Sequence, residues 1–235
     1  MKTLRLAILL SGSGSTAQAI IRACQSGSLR GITPVVVIGN NVQAGGLEKA
    51  RLLGIKTRVV RDDLLETLQG CQVDLISQNG WLPLTPKNVV DRYKGRLINQ
   101  HPGPLDPGRS DFGGIGMYGR RVTCARIAYA LMTGGNNWTE ATTHLVTEEF
   151  DKGMVIRAER LSFRILPDSN LIDATNNVTA KLLPLEHKNV IATLDSYVKF
   201  GNFPEVQRIV PLVPAKHENI VKKSKKIAIE LFPHG

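Results

Sequence analysis

The sequence predicts an α/β protein, an open, mostly parallel twisted sheet with an antiparallel extension. Three observations carry this. The apolar runs "LRLAILL" (4–10), "TPVVVIG" (33–39) and "VDLISQ" (73–78) have the length and composition of strands buried on both faces. Segments of helical spacing separate them, the alternation expected of a parallel sheet covered by helices. Further on, "TEATTHLVTEEFDKGMVIRAERLSF" (139–163) alternates around a turn, as an antiparallel hairpin does.

Taken in order, the first strand ends at a Ser-Gly loop. A helix over 16–24 follows, with Ala17, Ile20, Ile21 and Cys24 on one face. After the strand 33–39, "AGGLEKARLLG" (44–54) reads as a helix stopped by Gly54. Short strands at 55–60 and 73–78 flank the helix "DDLLETLQG", and "RLIN" (96–99) is another strand. Beyond a Gly-rich loop, 103–119, a helix is expected over 118–135 and the hairpin over 139–163. Residues 168–198 read as helical, interrupted near Pro184, and a Pro-dotted, lysine-rich tail follows.

The chain has 235 residues, 42% of them hydrophobic, enough for one substantial core with or without an appendage. No apolar run nears the roughly 20 residues of a membrane helix, so no membrane partner is expected. Leu4–Leu10 reads as a first buried strand in preference to a signal peptide. Three scattered cysteines, Cys24, Cys71 and Cys124, fit a reducing, cytoplasmic compartment. With no CxxC or HxxxH pair, no metal is expected.

The net charge of +10 suits an anionic partner, whether nucleic acid, membrane surface or small anion. No acid precedes Glu48, while Arg5, Arg22 and Arg30 lie in that stretch, as suits an anion pocket. From Lys216 onward five Lys face two Glu, as suits a solvated tail.

In an open sheet, ligands sit beyond the carboxyl ends of the strands. Ser11–Ser15, Asn79–Trp81 and Asn99–His101 all fall there. "SGSGS" joins a strand to a helix start, where free N–H groups and the helix dipole favour an anion. Gly12, Ser13, Gly14, Ser15 and Thr16 are the candidate phosphate cradle; an ordinary βα turn with a serine cap is the alternative. A dinucleotide fingerprint would need an acid after the second strand, which ends "VIGNN", and no GK[ST] follows to make a P-loop. A phosphate monoester or small anionic group is the ligand that fits.

In "LINQHPGPLDPGR" (97–109), Asn99 and His101 share a strand face just before a Pro-Gly turn. An amide and an imidazole aimed at one point can stabilise a developing oxyanion. The alternative is that both bond loop backbone. Neither has a Ser or Cys nucleophile in its motif, which favours direct transfer over a covalent intermediate. Asp151 opens an Asp-Lys-Gly turn. Placed beside His101 it would favour the imidazolium and accept a proton; otherwise it is a turn residue.

With these residues in hand, the sequence over about 4–160 resembles the folate-dependent formyltransferases, closest to the phosphoribosylglycinamide branch. "LLSGSGSTAQAIIRAC" resembles that family's phosphate loop and first helix, and "GNNVQAGGLEKARLLGIKT" its second strand end and helix. "GRLINQHPGPL" carries its Asn-x-His-Pro signature, and "TTHLVTEEFDKGMVI" its threonine-histidine strand and closing turn.

The resemblance implies that an amine attacks the formyl carbon of 10-formyltetrahydrofolate. Asn99 would donate to the carbonyl oxygen. His101, kept protonated by Asp151, would stabilise the oxyanion, and Asp151 would manage the amine proton. The pterin would lie against Trp81, Leu82, Ile98 and the stretch Glu148, Glu149, Phe150, with His144 in support; Trp81 and His144 have plain core readings too. A catalytic domain over 1–200 and a basic tail over 201–235, packed on the surface or mobile, are expected, as monomer or homodimer.

The chain departs from the family in its elaborate 103–119 loop and in a short 54–73 connection. At the place of the family's late-helix glutamate it offers Thr179, with Glu186 elsewhere; Arg109, Arg120 and Arg121 are alternative substrate contacts, solvated surface by default.

The resulting expectation is formyl transfer to a small phosphorylated amine, glycinamide ribonucleotide of purine synthesis first, an amino-sugar nucleotide second. The alternative from another class, a basic nucleic-acid binder, would explain "KKSKK" (222–226) but gives Asn99, His101 and Asp151 no reason to converge. Aromatic residues make up 5% and supply no stacking platform, so nucleic acid is not the expected partner.

Overall fold

The computed structural model describes residues 3–135, 137–165 and 168–235. Its seven-stranded, mostly parallel sheet has the strand order Thr57–Val59 (β3), Ile32–Gly39 (β2), Leu4–Leu10 (β1), Leu75–Asn79 (β4), Leu97–His101 (β5), Trp138–Leu145 (β6), Val155–Ser162 (β7), the α/β architecture that the alternating pattern predicts. The chain forms two compact units. One takes Met1–Gln100 with Leu145–Glu148 and Val190–Pro204; the other takes His101–His144, Glu149–Asn189 and Glu205–Gly235.

In the first unit, β1 (Leu4–Leu10) lies between β2 (Ile32–Gly39) and β4 (Leu75–Asn79), parallel to both. Leu6 through Leu10 are fully buried, because a strand with partners on both edges and helices on both faces has no polar side to show. β3 (Thr57–Val59) pairs with β2, and β5 (Leu97–His101) with β4, both parallel. β3 keeps only three residues of the expected 55–60 strand and is largely exposed, as suits a sheet edge.

The helices α1 (Ser15–Gln25), α2 (Gly45–Leu52) and α3 (Leu64–Gly70) follow the sequence pattern. Leu9, Ile38, Leu68, Ile76 and Leu97 meet in one core. The short α4 (Lys87–Arg92) buries only Val89, too little apolar periodicity to be read in advance.

In the second unit, α5 (Arg120–Thr133) is buried on every side from Arg121 to Ala130. The hairpin is β6 (Trp138–Leu145) against β7 (Val155–Ser162), antiparallel, with a register shift between Thr143 and His144.

Two expectations need correction. The helix α6 (Leu171–Phe200) runs without a break through Pro184. Pro184 is exposed, and buried Val178, Leu182, Glu186, Asn189 and Val190 hold the turns on either side. Packing outweighs the one backbone bond that proline removes. The lysine-rich tail contains a second unforeseen helix, α7 (Glu218–Leu231), which packs on α5. Phe112, Met117, Val122, Ala125 and Tyr129 form a core with Val213, Val221, Ala228 and Phe232.

Among the described residues no helix is long and apolar enough to cross a membrane, and no cluster of His, Cys, Asp and Glu is arranged to hold a metal.

Candidate active site

In the first unit, β1 runs into the Ser11–Ser15 loop and α1 begins there. Gly14 precedes α1 with φ 69°, and no side chain caps the helix. Its first N–H groups therefore point outward with the positive end of the dipole. A Cβ on Gly14 would stand 2.4 Å from Gly46 Cα, and the Gly46 N–H donates to the Gly12 carbonyl at 3.0 Å. Only glycine permits this approach of the α2 start to the loop. Gly12 and Ser13 are exposed, Ser15 half-buried and Thr16 buried. The first turn of α1 carries no acid. The segment has the form of an anion cradle.

Also in this unit, the Ser11 hydroxyl accepts the Leu82 N–H at 3.0 Å. Trp81 packs on the core, yet its indole Nε1 is buried without a hydrogen-bond partner. Glu148 pairs with Lys87 at the surface. Half-buried Asn99 stands opposite Gln78 in the ladder. Strand alternation puts Asn99 and His101 on one face of β5, with Ile98, fully buried, on the other.

In the second unit, three of the expected residues come together. Asp151 Oδ1 lies 3.5 Å from His101 Nδ1 and 3.4 Å from His144 Nε2, and Asp151 Oδ2 accepts the Gly114 N–H at 2.8 Å. All three side chains are buried. Asp151 has φ 59°, a left-handed conformation uncommon for a residue with a Cβ. The β6–β7 register shifts at His144, the strand residue that meets Asp151. Asn189 of α6 steadies the same strand by donating to Ala141 O and Thr143 Oγ1.

Burial alone would push the Asp151 carboxyl up. The charge of His101, the hydrogen bond and charge of His144, and the Gly114 N–H outweigh it and hold Asp151 well below the usual carboxylate range. His101 is pulled in both directions. Burial pushes its pKa down, Asp151 pulls it up by less, and His144 adds to the lowering.

The 103–119 loop proves to be scaffold. Asp111 accepts the N–H groups of Asp106 and Gly113, and a Cβ on Gly113 would stand 2.7 Å from Asp151 Cβ. Arg109 binds Asp106 and the Arg208 carbonyl. Arg121 binds the carbonyls of Gly116, Phe232 and Pro233, and Arg120 that of Gly235. These arginines tie the loop region to the C-terminal segment.

Sequence reasoning set Glu186 apart from the place of the family's late-helix glutamate. It is buried in α6, and burial pushes its carboxyl up to about 8. Thr179, seven residues earlier, is half-buried. The signal was present in "LEHKN", an acid on the apolar face of a helix.

The family model described as formyl transferase matches residues 4–194. A phosphoribosylglycinamide formyltransferase of Arabidopsis thaliana, described as chloroplastic, is 29% identical over 78% of this chain and 62% of its own length. The enzyme of the same name from Haemophilus influenzae is 28% identical over 71% of this chain and 76% of its own. The crystal structure of phosphoribosylglycinamide formyltransferase from Brucella melitensis superposes with TM-score 0.68 and 26% identity, over 87% of this chain and all of that one. The chain thus spans about six-tenths of the plant relative's length. The match over residues 4–194, with the Asn-x-His-Pro signature inside it, places this chain in the formyl transferase family.

Proposed function

We propose that the protein transfers the formyl group of 10-formyltetrahydrofolate to the amine of a small phosphorylated substrate, glycinamide ribonucleotide in purine synthesis. The observation that carries this reading is the buried His101–Asp151–His144 cluster in a chain of the formyl transferase family. The relatives' names support the acceptor.

In this reading the α1 start with Gly12, Ser13, Gly14, Ser15 and Thr16 holds the phosphate. Asn99 donates its amide to the formyl oxygen. His101 takes the proton as the amine nitrogen bonds to the formyl carbon. The resulting imidazolium, stabilised by Asp151, faces the oxyanion. The proton then passes to the departing folate nitrogen as its bond to carbon breaks.

The co-substrate supplies the one-carbon unit; Trp81, Leu82 and the Glu148, Glu149, Phe150 stretch hold its ring system, with Ile98 packed behind. The partnerless Trp81 Nε1 suits a polar ring edge. Residues 1–200 form the catalytic domain, as the extent of the family match supports. Three free cysteines support a cytoplasmic setting.

The test supplies purified protein with 10-formyltetrahydrofolate and either glycinamide ribonucleotide or an amino-sugar nucleotide, and follows tetrahydrofolate release and formylated product. His101→Ala lowers turnover by about 10²–10³, the usual worth of an oxyanion donor. No turnover with either amine, together with tight salt-dependent RNA binding, overturns the reading.

A further inference from the structure

The Gly113–Gly114 peptide is engaged at both of its polar atoms. Its carbonyl oxygen, on Gly113, accepts a hydrogen bond from Lys225 Nζ at 2.6 Å. Its N–H, on Gly114, is the group that donates to Asp151 Oδ2 at 2.8 Å. One planar amide therefore links an ammonium to the carboxylate of the site.

Two physical consequences follow. A peptide unit is rigid and planar, so fixing the direction of its C=O fixes the direction of its N–H. The unit is also conjugated. A cation on the oxygen draws electron density off the nitrogen and makes the N–H a stronger donor, the mutual polarisation expected along a hydrogen-bond chain. The surrounding contacts leave the peptide little freedom. Asp111 accepts the Gly113 N–H at 3.0 Å, and the space beside Gly113 is closed by Leu105 and Asp151. Gly114 has φ 103°, open to glycine but not to an ordinary side chain.

Lys225 comes from α7, beyond the residues matched by the family model. Its charge is felt by the groups it faces. Burial, helped by Lys152, pushes the Lys225 pKa below its ordinary value, while Asp111 and Asp151 act against that lowering. His101 in turn faces Asp151, His144, Asp111 and Lys225.

We propose that Lys225 is a positioning residue of this site, which acts through the Gly113–Gly114 peptide to aim and strengthen the N–H bond on Asp151 and so sets the proton affinity of the Asp151–His101 pair. The proposal rests on the function given above only in reading that pair as the proton-handling part of formyl transfer. It makes the C-terminal helix part of the site's machinery.

The experiment compares Lys225→Met, Lys225→Arg and the exposed control Lys223→Met by NMR and by kinetics. In Lys225→Met the Gly114 amide proton shifts upfield and exchanges faster, and the His101 titration midpoint moves up. The turnover number falls roughly ten- to a hundredfold, the range for a mis-aimed supporting group, with little change in KM. Lys225→Arg keeps donor and charge and restores most of each reading; Lys223→Met leaves all unchanged. Should Lys225→Met not fold, the wild-type protein answers instead, since the Gly114 amide shift must follow the titration of the Lys225 ammonium at alkaline pH. An unmoved Gly114 amide and His101 midpoint in Lys225→Met, or in the alkaline titration no response of Gly114, overturns the proposal. If the wild type formylates no amine, the proposed function fails, while the amide and imidazole readings still decide the role of Lys225.

Discussion

His144 Nε2 and Asp151 Oδ1 stand 3.4 Å apart, His144 at a register shift of β6 and Asp151 in a left-handed conformation at the turn. Neither feature is regular structure, and each costs stability unless its surroundings hold it. Their coincidence at one carboxylate argues that its charge and aim matter.

His144→Phe keeps the volume and removes the hydrogen bond to Asp151. The Asp151 carboxyl then titrates nearer its ordinary range, since one of the interactions holding it down is gone. Carbon-detected NMR titration of the side chain reads this directly. A midpoint equal to that of wild type would mean that His144 is only core filling.

Asp151→Asn removes the anion beside His101 while retaining shape. The Asp151 charge is the main influence raising the His101 midpoint against burial, so this variant moves the midpoint further down. Formyl transfer falls because the imidazolium formed in the reaction loses its stabilising partner. A His101 midpoint that rises in Asp151→Asn contradicts the electrostatic account.

Glu186 gives a prediction about folding. Its folded pKa is raised to about 8 from a reference value of 4.5. A carboxyl raised on folding binds its proton more tightly in the native state. Its contribution is therefore fully present below about pH 4.5 and is lost as the pH rises toward 8. The loss is on the order of a few kcal/mol. Asp151 has the opposite sign. Its lowered pKa stabilises the fold above the ordinary carboxylate range, and that contribution is lost on acidification below it. Urea melts between pH 5 and 8 should show stability falling in wild type and a flatter profile in Glu186→Gln. Parallel profiles would remove Glu186 as a buried, destabilised carboxylate.

The C-terminal segment supplies the fourth. Phe232 is buried against the α5 core, and Arg121 binds the carbonyl oxygens of Phe232 and Pro233. Phe232→Ala leaves a cavity there and costs about 3–5 kcal/mol. Removal of residues 205–235 exposes the apolar face of α5 and leaves the second unit without a complete core. Denaturant melts check the first, and amide exchange across α5 the second. Unchanged protection in α5 after truncation would show the tail to be dispensable for folding.

Much of the fold was legible because its signals are local. Leu6–Leu10 and Val35–Gly39 are apolar throughout and could be little other than the cores of buried strands. The alternation over 139–163 gave the hairpin. Pro184 misled because proline's cost is a local quantity, whereas the burial of Leu182, Glu186 and Asn189 that overrides it is not. In α7, Val221, Ser224 and Ala228 recur at helical spacing, but the lysines between them read as solvated tail until α5 is present to be covered.

The site divides in the same way. The sequence by itself determined which chemistry is available: an amide and an imidazole two residues apart at a strand end, an acid at a tight turn, and glycines before an uncapped helix. Tertiary structure decided what those groups do to one another. It set His101 toward the neutral form, held Asp151 charged, buried Glu186, and brought Lys225 to the peptide beside Asp151. Burial and distance between segments far apart in the chain control proton affinity, and neither is a property of any short stretch of sequence.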